Sequence, residues 1–247
     1  MVLIEAGSNA ESAASLTATT SASPAGTLVL VRHGQSETNA SNIFTGLLDP
    51  PLTARGISES SSIGSALRSL PLPSPLSCAY TSPLLRARSS TSHLLASLAQ
   101  SPPPPIFVSA ALNERDYGAL NGRDKDEVAS EYGRETCERW RRGYGAVPPG
   151  GESLEMTAER VWAFYEAEVW PRMRKGETVL VVSHGNTLRA LVARLEGLDR
   201  PGHVDEEGIM RLTLGTGALR IYKIGKDGSV VDRRLFVSAE GIEGGKQ

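Results

Sequence analysis

Two apolar runs in this chain each end in His-Gly: Thr27-Leu-Val-Leu-Val-Arg-His-Gly34 and Thr178-Val-Leu-Val-Val-Ser-His-Gly185. A neutral imidazole nitrogen is a good nucleophile toward phosphorus and can carry a phosphoryl group covalently. His33 and His184 are therefore the first candidates for chemistry. Arg32, beside His33, offers a planar fork matched to phosphate oxygens. Gly34 has no Cβ, so a ligand can approach the backbone closely, and a helix starting after it would add free amide donors. Arg86, in Tyr80-Thr-Ser-Pro-Leu-Leu-Arg-Ala, lies about one turn inside an expected helix and can reach the same anion. Glu114, in Leu112-Asn-Glu-Arg-Asp-Tyr-Gly, follows another apolar run. A carboxyl enclosed there can donate a proton to a leaving hydroxyl and take one from the next. Lys125, Arg141 and Arg142 supply further basic points, whereas His93 and His203 read as structural.

These residues need elements to bring them together. Both His-Gly runs are short, β-branched and stopped by Gly, which predicts buried strands. In open α/β sheets ligands bind at the carboxyl ends of the strands. Thr53 is expected to cap a helix to about Leu70, and Ser77–Thr81 to form a strand. Ser82 and Pro83 are expected as N-cap and first residue of a helix to about Gln100. A strand is expected over Ile106–Leu112, a helical patch from an Asp124 cap to about Trp140, and a helix from Ser153. A further helix is expected over Asn186–Leu195, then late strands over Arg211–Ile224 and Val230–Val237. Strands and helices alternate, which predicts a three-layer α/β fold: a mostly parallel sheet with helices on both faces. Residues 27–237 form the expected single domain, with 113–151 as a lid over the strand ends.

The chain has 247 residues, a formal net charge of −2 and 22% charged residues. No global basic field draws nucleic acid or membrane, so any anion site must be a local cluster of cations. No apolar run reaches the roughly 18–20 residues that span a bilayer. Cys78 and Cys137 stand outside metal-binding or redox spacings, which fits reduced thiols and a cytoplasmic location. Residues 1–26 are Ala/Ser/Thr-rich and expected to be a disordered extension. Targeting by this segment is the competing reading, although it lacks the arginines of a transit peptide. The Gly-rich tail, residues 238–247, is expected to be mobile.

Several motifs resemble those of the 2,3-bisphosphoglycerate-dependent phosphoglycerate mutases of the histidine phosphatase superfamily. Leu30-Val-Arg-His-Gly-Gln-Ser is similar to the superfamily signature. Phe44-Thr-Gly, Tyr80-Thr-Ser-Pro-Leu-Leu-Arg-Ala, Leu112-Asn-Glu-Arg-Asp-Tyr-Gly-Ala-Leu-Asn-Gly, Trp140-Arg-Arg-Gly, Pro148-Pro-Gly-Gly-Glu-Ser and Ser183-His-Gly-Asn-Thr-Leu-Arg-Ala-Leu resemble mutase motifs. The resemblance implies a phosphoglycerate mutase-like fold and interconversion of 3- and 2-phosphoglycerate through a phosphohistidine. It implies His33 as nucleophile, Glu114 as proton donor and acceptor, and Arg32, Arg86 and His184 around the transferring group. Asn39 and Gly185 would lie nearby, with Thr45, Gly46, Arg115, Tyr117, Lys125, Arg141, Arg142 and Asn186 holding the rest of the substrate.

The resemblance also implies 2,3-bisphosphoglycerate as primer, no metal, a small phosphorylated substrate as partner, and a monomer or small homo-oligomer. The alternative on the same scaffold is a histidine-type phosphatase. A catalytically dead phospholigand binder is a third reading, against which both the nucleophile and the acid are present. The chain departs from the longer mutases in a shorter stretch between Arg142 and Pro149, and in Leu214-Gly-Thr-Gly-Ala-Leu on the rear wall.

Overall fold

The computed structural model of the chain describes residues 3–5, 24–200 and 202–238. In chain order the elements are β1 (Leu3–Glu5), β2 (Pro24–Arg32), α1 (Glu37–Ala40), α2 (Ala54–Ser69), β3 (Leu76–Thr81), α3 (Leu85–Leu98) and β4 (Ile106–Val108). Then come α4 (Lys125–Tyr132), α5 (Arg134–Arg142), α6 (Leu154–Phe164), α7 (Trp170–Met173), β5 (Thr178–Ser183) and α8 (Gly185–Leu195). The chain closes with β6 (Asp199–Arg200), β7 (His203–Val204), α9 (Glu206–Arg211), β8 (Leu219–Gly225) and β9 (Val230–Ser238).

The main sheet has the order β1-β9-β8-β2-β5-β3-β4. Strands β2, β5, β3 and β4 run parallel. Strands β8, β9 and β1 extend the sheet by antiparallel pairing. The central strands are buried on both faces because their side chains alternate between two cores. Leu28, Leu30, Val179 and Val181 pack with residues of α6, α7 and α8. Val29, Val31, Leu180 and Val182 pack on the other side with Ile63, Leu67 and Leu94 of α2 and α3. Full burial of each such side chain stabilises by about 1.5–3 kcal/mol. This is the expected three-layer fold.

Register places the site. Thr27 to Arg32 of β2 pair with Thr178 to Ser183 of β5, residue for residue. The His33 amide donates to the Ser183 carbonyl at 2.9 Å. His33 and His184 therefore leave the sheet at the same level. A one-residue slip would put every core side chain on the wrong face, so burial fixes this alignment.

Several elements differ from the sequence expectation. Helix α3 starts at Leu85 with Leu84, in an extended conformation, as N-cap; among the described residues the Ser82 oxygen accepts only the Leu84 amide, at 3.3 Å, and lies 2.7 Å from His184 Nε2. The helical patch after Asp124 is two helices, broken at Gly133 with φ +85°, a conformation that favours glycine. Strand β4 ends at Val108, and a 3₁₀ turn follows at Ala110–Leu112. Residues Glu206–Arg211 form a helix, because the Asp205 carboxylate caps it by accepting from the Gly208 amide. Strand β8 starts only at Leu219, past the Gly215–Gly217 loop. Within residues 1–26, Leu3–Glu5 and Pro24–Gly26 are strand, and the rest of that expected extension lies outside the described residues. Ser238 closes β9, and the remainder of the expected tail also lies outside the described residues.

The segment 113–151 carries α4 and α5. A small apolar cluster of its own, Tyr117, Leu120, Val128 and Cys137, packs with Phe44. This cluster seats the two helices on the 44–48 loop, beside the strand ends.

Candidate active site

The two imidazoles meet at the carboxyl ends of β2 and β5. Their ring centroids are 4.9 Å apart, edge to face at 62°. Both side chains are buried. Burial, with the nearby Arg86 and Arg32 guanidinium groups, holds both well below the ordinary imidazole range, so both rings are neutral at pH 7. The Nδ1 atom of His33 lies 2.7 Å from the Gly34 carbonyl oxygen. A carbonyl can only accept, so Nδ1 carries the proton and Nε2 keeps its lone pair. His33 is thus a neutral ring with a free nucleophilic nitrogen.

The pocket in front of these rings is lined by six cations, Arg32, Arg86, Lys125, Arg141, Arg142 and Arg189, and by one carboxylate, Glu114. Such a balance suits a polyanion. Arg32 donates to the Leu214 carbonyl at 2.5 Å, and its buried Nε has no partner among the described residues. Arg86 is buried and donates to the carbonyls of Leu48 and Gly46, at 2.6 and 2.9 Å. Desolvation pushes its pKa down to about 10. Lys125 forms no ion pair among the described residues, and desolvation with Arg141 and Arg32 nearby lowers it to about 8.

Glu114 lies against the start of α8. One carboxylate oxygen accepts the amides of Arg115 at 2.9 Å and Asn186 at 3.1 Å. The positive end of that helix is therefore occupied by Glu114. The amides after His33 are occupied too: Gly34 donates to Ser90 Oγ at 3.0 Å and Gln35 to Glu59 at 2.8 Å. The expectation of free helix amides for an anion is corrected here, and side-chain cations take that role. The role expected for Gly34 changes as well. A Cβ there would lie 2.1 Å from the Gly56 carbonyl oxygen, so the glycine lets the segment after β2 pass the start of α2. Gly185 similarly leaves room for the Arg32 guanidinium, which a Cβ would meet at 3.3 Å.

Of the residues named from sequence, Arg32, His33, Asn39, Thr45, Gly46, Arg86, Glu114, Tyr117, Lys125, Arg141, Arg142, Gly185 and Asn186 line this pocket. His184 does not line it: fully buried, it stands against the His33 ring. Arg115 does not line it. That side chain is fully buried, donates to the Trp140 and Arg141 carbonyls at 2.6 and 2.9 Å, and stacks 4.6 Å from the Tyr117 ring centre. It holds the end of α5 rather than facing the cavity.

Arg189 is the residue that sequence reasoning missed. It lines the pocket and donates to the carbonyls of Leu212, Arg142 and Ile209 and to Asn186 Oδ1, at 2.8–2.9 Å. The signal was an arginine inside the apolar helix segment Leu188-Arg-Ala-Leu-Val. A cation buried there must find partners. Leu212 and Thr213 were missed with it, whereas Leu214 was already named on the rear wall.

The model of the histidine phosphatase superfamily (branch 1) matches residues 28–233. The chain belongs to the histidine phosphatase superfamily. Among relatives in this superfamily, the 2,3-bisphosphoglycerate-dependent phosphoglycerate mutase of Parvibaculum lavamentivorans is 44% identical over 213 residues, covering 86% of this chain and 97% of that protein. The protein of that name from Brucella anthropi is 45% identical over 210 residues, covering 85% and 98%. Solved structures share the fold. A putative alpha-ribazole-5'-P phosphatase from Escherichia coli superposes with a TM-score of 0.68 at 24% identity, covering 86% of this chain and 96% of its own. Bacillus stearothermophilus YhfR gives 0.70 at 23%, covering 87% and 96%. Among the described residues, no group of three or more His, Cys, Asp or Glu side chains is placed to hold a metal ion, and no helix is long and apolar enough to cross a membrane.

Proposed function

We propose that this chain interconverts 3-phosphoglycerate and 2-phosphoglycerate, with 2,3-bisphosphoglycerate as the primer. The observation that carries this reading is the division of the pocket's cations. Arg86 and Arg32 act on His33. Lys125, Arg141 and Arg142 come from the two helices of the 113–151 segment and face the same cavity. A ligand charged at both ends, a phosphate at one and a carboxylate or second phosphate at the other, matches that division. The relatives at 44–45% identity carry the corresponding name.

The residues present fit the primer. Among the described residues Arg32 Nε and His184 Nδ1 are buried without hydrogen-bond partners, which leaves both available to oxygens of the primer. When bound, 2,3-bisphosphoglycerate supplies the phosphoryl group that loads His33. His33 Nε2 forms the N–P bond as the P–O bond to the donor oxygen breaks. Glu114 gives that oxygen its proton, and takes the proton of the substrate hydroxyl when the group moves on. Arg32, Arg86 and His184 stabilise charge on the equatorial oxygens in a water-poor pocket. Lys125, Arg141 and Arg142 hold the far end and keep the substrate enclosed, which favours return of the group to substrate over hydrolysis. In this reading the residues of 113–151 act as a lid, and the chain works in glycolysis and gluconeogenesis as a cytoplasmic enzyme, monomeric or a small homo-oligomer.

An enolase-coupled assay with 3-phosphoglycerate, run beside phosphate release, tests this. The expected result is mutase turnover stimulated by trace 2,3-bisphosphoglycerate and faster than phosphate release. Phosphate release outpacing isomerisation would overturn it in favour of a phosphatase.

A further inference from the structure

Ser82 is fully buried between β3 and α3, and its hydroxyl has two partners among the described residues. The Leu84 amide donates to Oγ at 3.3 Å. The His184 Nε2 atom lies 2.7 Å from the same oxygen. An amide offers no acceptor, so the Ser82 hydroxyl proton has one place to go, the Nε2 lone pair of His184. The reverse arrangement would strand that proton in the core without an acceptor.

We propose that Ser82 is a positioning residue that holds His184 as the Nδ1–H tautomer, so that this ring meets the phosphoryl oxygens as a hydrogen-bond donor. The proposal rests on the reading of His33 as the phosphoryl carrier. Both rings then carry their proton on Nδ1, with opposite consequences. His33 spends its N–H on the Gly34 carbonyl and presents a lone pair. His184 spends its lone pair on Ser82 and presents an N–H. A lone pair on His184 in that place would repel the anion it must stabilise. Burial and the neighbouring Arg86 keep the His184 ring neutral, so its tautomer decides what it offers. Ser82 is free for this because Pro83 follows it and α3 begins only at Leu85, leaving Leu84 as a cap without a side-chain bond.

Long-range proton–nitrogen correlation spectra of the ¹⁵N-histidine-labelled full chain, without ligand, read the tautomer of His184 directly. The wild-type ring is expected as Nδ1–H. Ser82→Ala is expected to shift it to a mixture or to Nε2–H. Loading of His33 by 2,3-bisphosphoglycerate should then slow about 10²-fold, the order seen when one stabilising donor is lost. Ser82→Thr, which keeps the hydroxyl, is expected to restore both. An Nε2–H tautomer in the wild-type protein, or a Ser82→Ala ring that stays Nδ1–H, overturns the proposal. The wild-type spectrum decides even if Ser82→Ala does not fold. Absence of His33 loading beside an Nδ1–H spectrum would count against the phosphoryl-carrier reading and leave the Ser82–His184 assignment standing.

Discussion

His33 and His184 stand edge to face, 4.9 Å apart, each directly after one of two adjacent parallel strands that end at one level. The sheet register sets this closeness, and the register is fixed by burial on both faces. The chemistry therefore inherits the rigidity of the core, as a pre-organised site requires.

Glu114 is the only carboxylate lining the pocket among the described residues. Glu114→Gln keeps its shape but removes the proton acceptor. Steady-state turnover of 3-phosphoglycerate is expected to fall by about 10²–10⁴-fold. Turnover within a few-fold of wild type would assign the proton to another group.

Lys125 should give the reaction an alkaline limb. Its pKa is lowered to about 8 in the folded chain, mainly by desolvation, against about 10.4 for an unperturbed lysine. Above pH 8 it loses its charge and its hold on the ligand's far end, whereas a bound anion pulls its pKa back up. KM is expected to rise by up to about tenfold per pH unit above 8. Arg at position 125 stays charged throughout, so Lys125→Arg should remove the bend; a bend that persists would trace it to another group.

The buried histidines should make the fold acid-sensitive. Both have pKa values lowered well below the ordinary range in the folded state. Between those values and the unfolded value of about 6.5, the unfolded chain binds more protons, so stability falls as pH drops. The contribution is fully present above about 6.5. Urea midpoints measured from pH 7.5 to 4.5 should decline over that window, and less steeply in His184→Asn. Equal slopes for the two proteins would rule out His184 as a source.

Arg189 joins α8 to the ends of α5 and α9 through four backbone carbonyls and Asn186. Lysine cannot reproduce that fork. Arg189→Lys is expected to displace Arg141 and Arg142 and lower kcat/KM by on the order of 10²-fold, since misplacements near 1 Å cost that much. Unchanged kinetics would show that the lid holds its position without this residue.

Much of this arrangement was legible in the sequence because strong local signals agreed. Two β-branched runs that stop at His-Gly specify strands whose ends carry imidazoles, and the Thr53 and Ser153 caps mark α2 and α6. What was not legible depends on partners far along the chain. Ser82 followed by Pro83 reads as a helix cap, but its hydroxyl also meets His184, distant in sequence, at 2.7 Å. Arg115 reads as a ligand cation, yet its partners are the carbonyls at the end of α5. The close pass of Gly34 by Gly56 is a tertiary contact that no local pattern announces.

The central claim is that His33 wears the phosphoryl group. Incubation with ³²P-labelled 2,3-bisphosphoglycerate, followed by peptide mapping, tests it most directly. The account predicts an acid-labile, base-stable label on the peptide containing His33, absent in His33→Ala. An acid-stable label, a label on His184, or no label on the folded wild-type chain would contradict it.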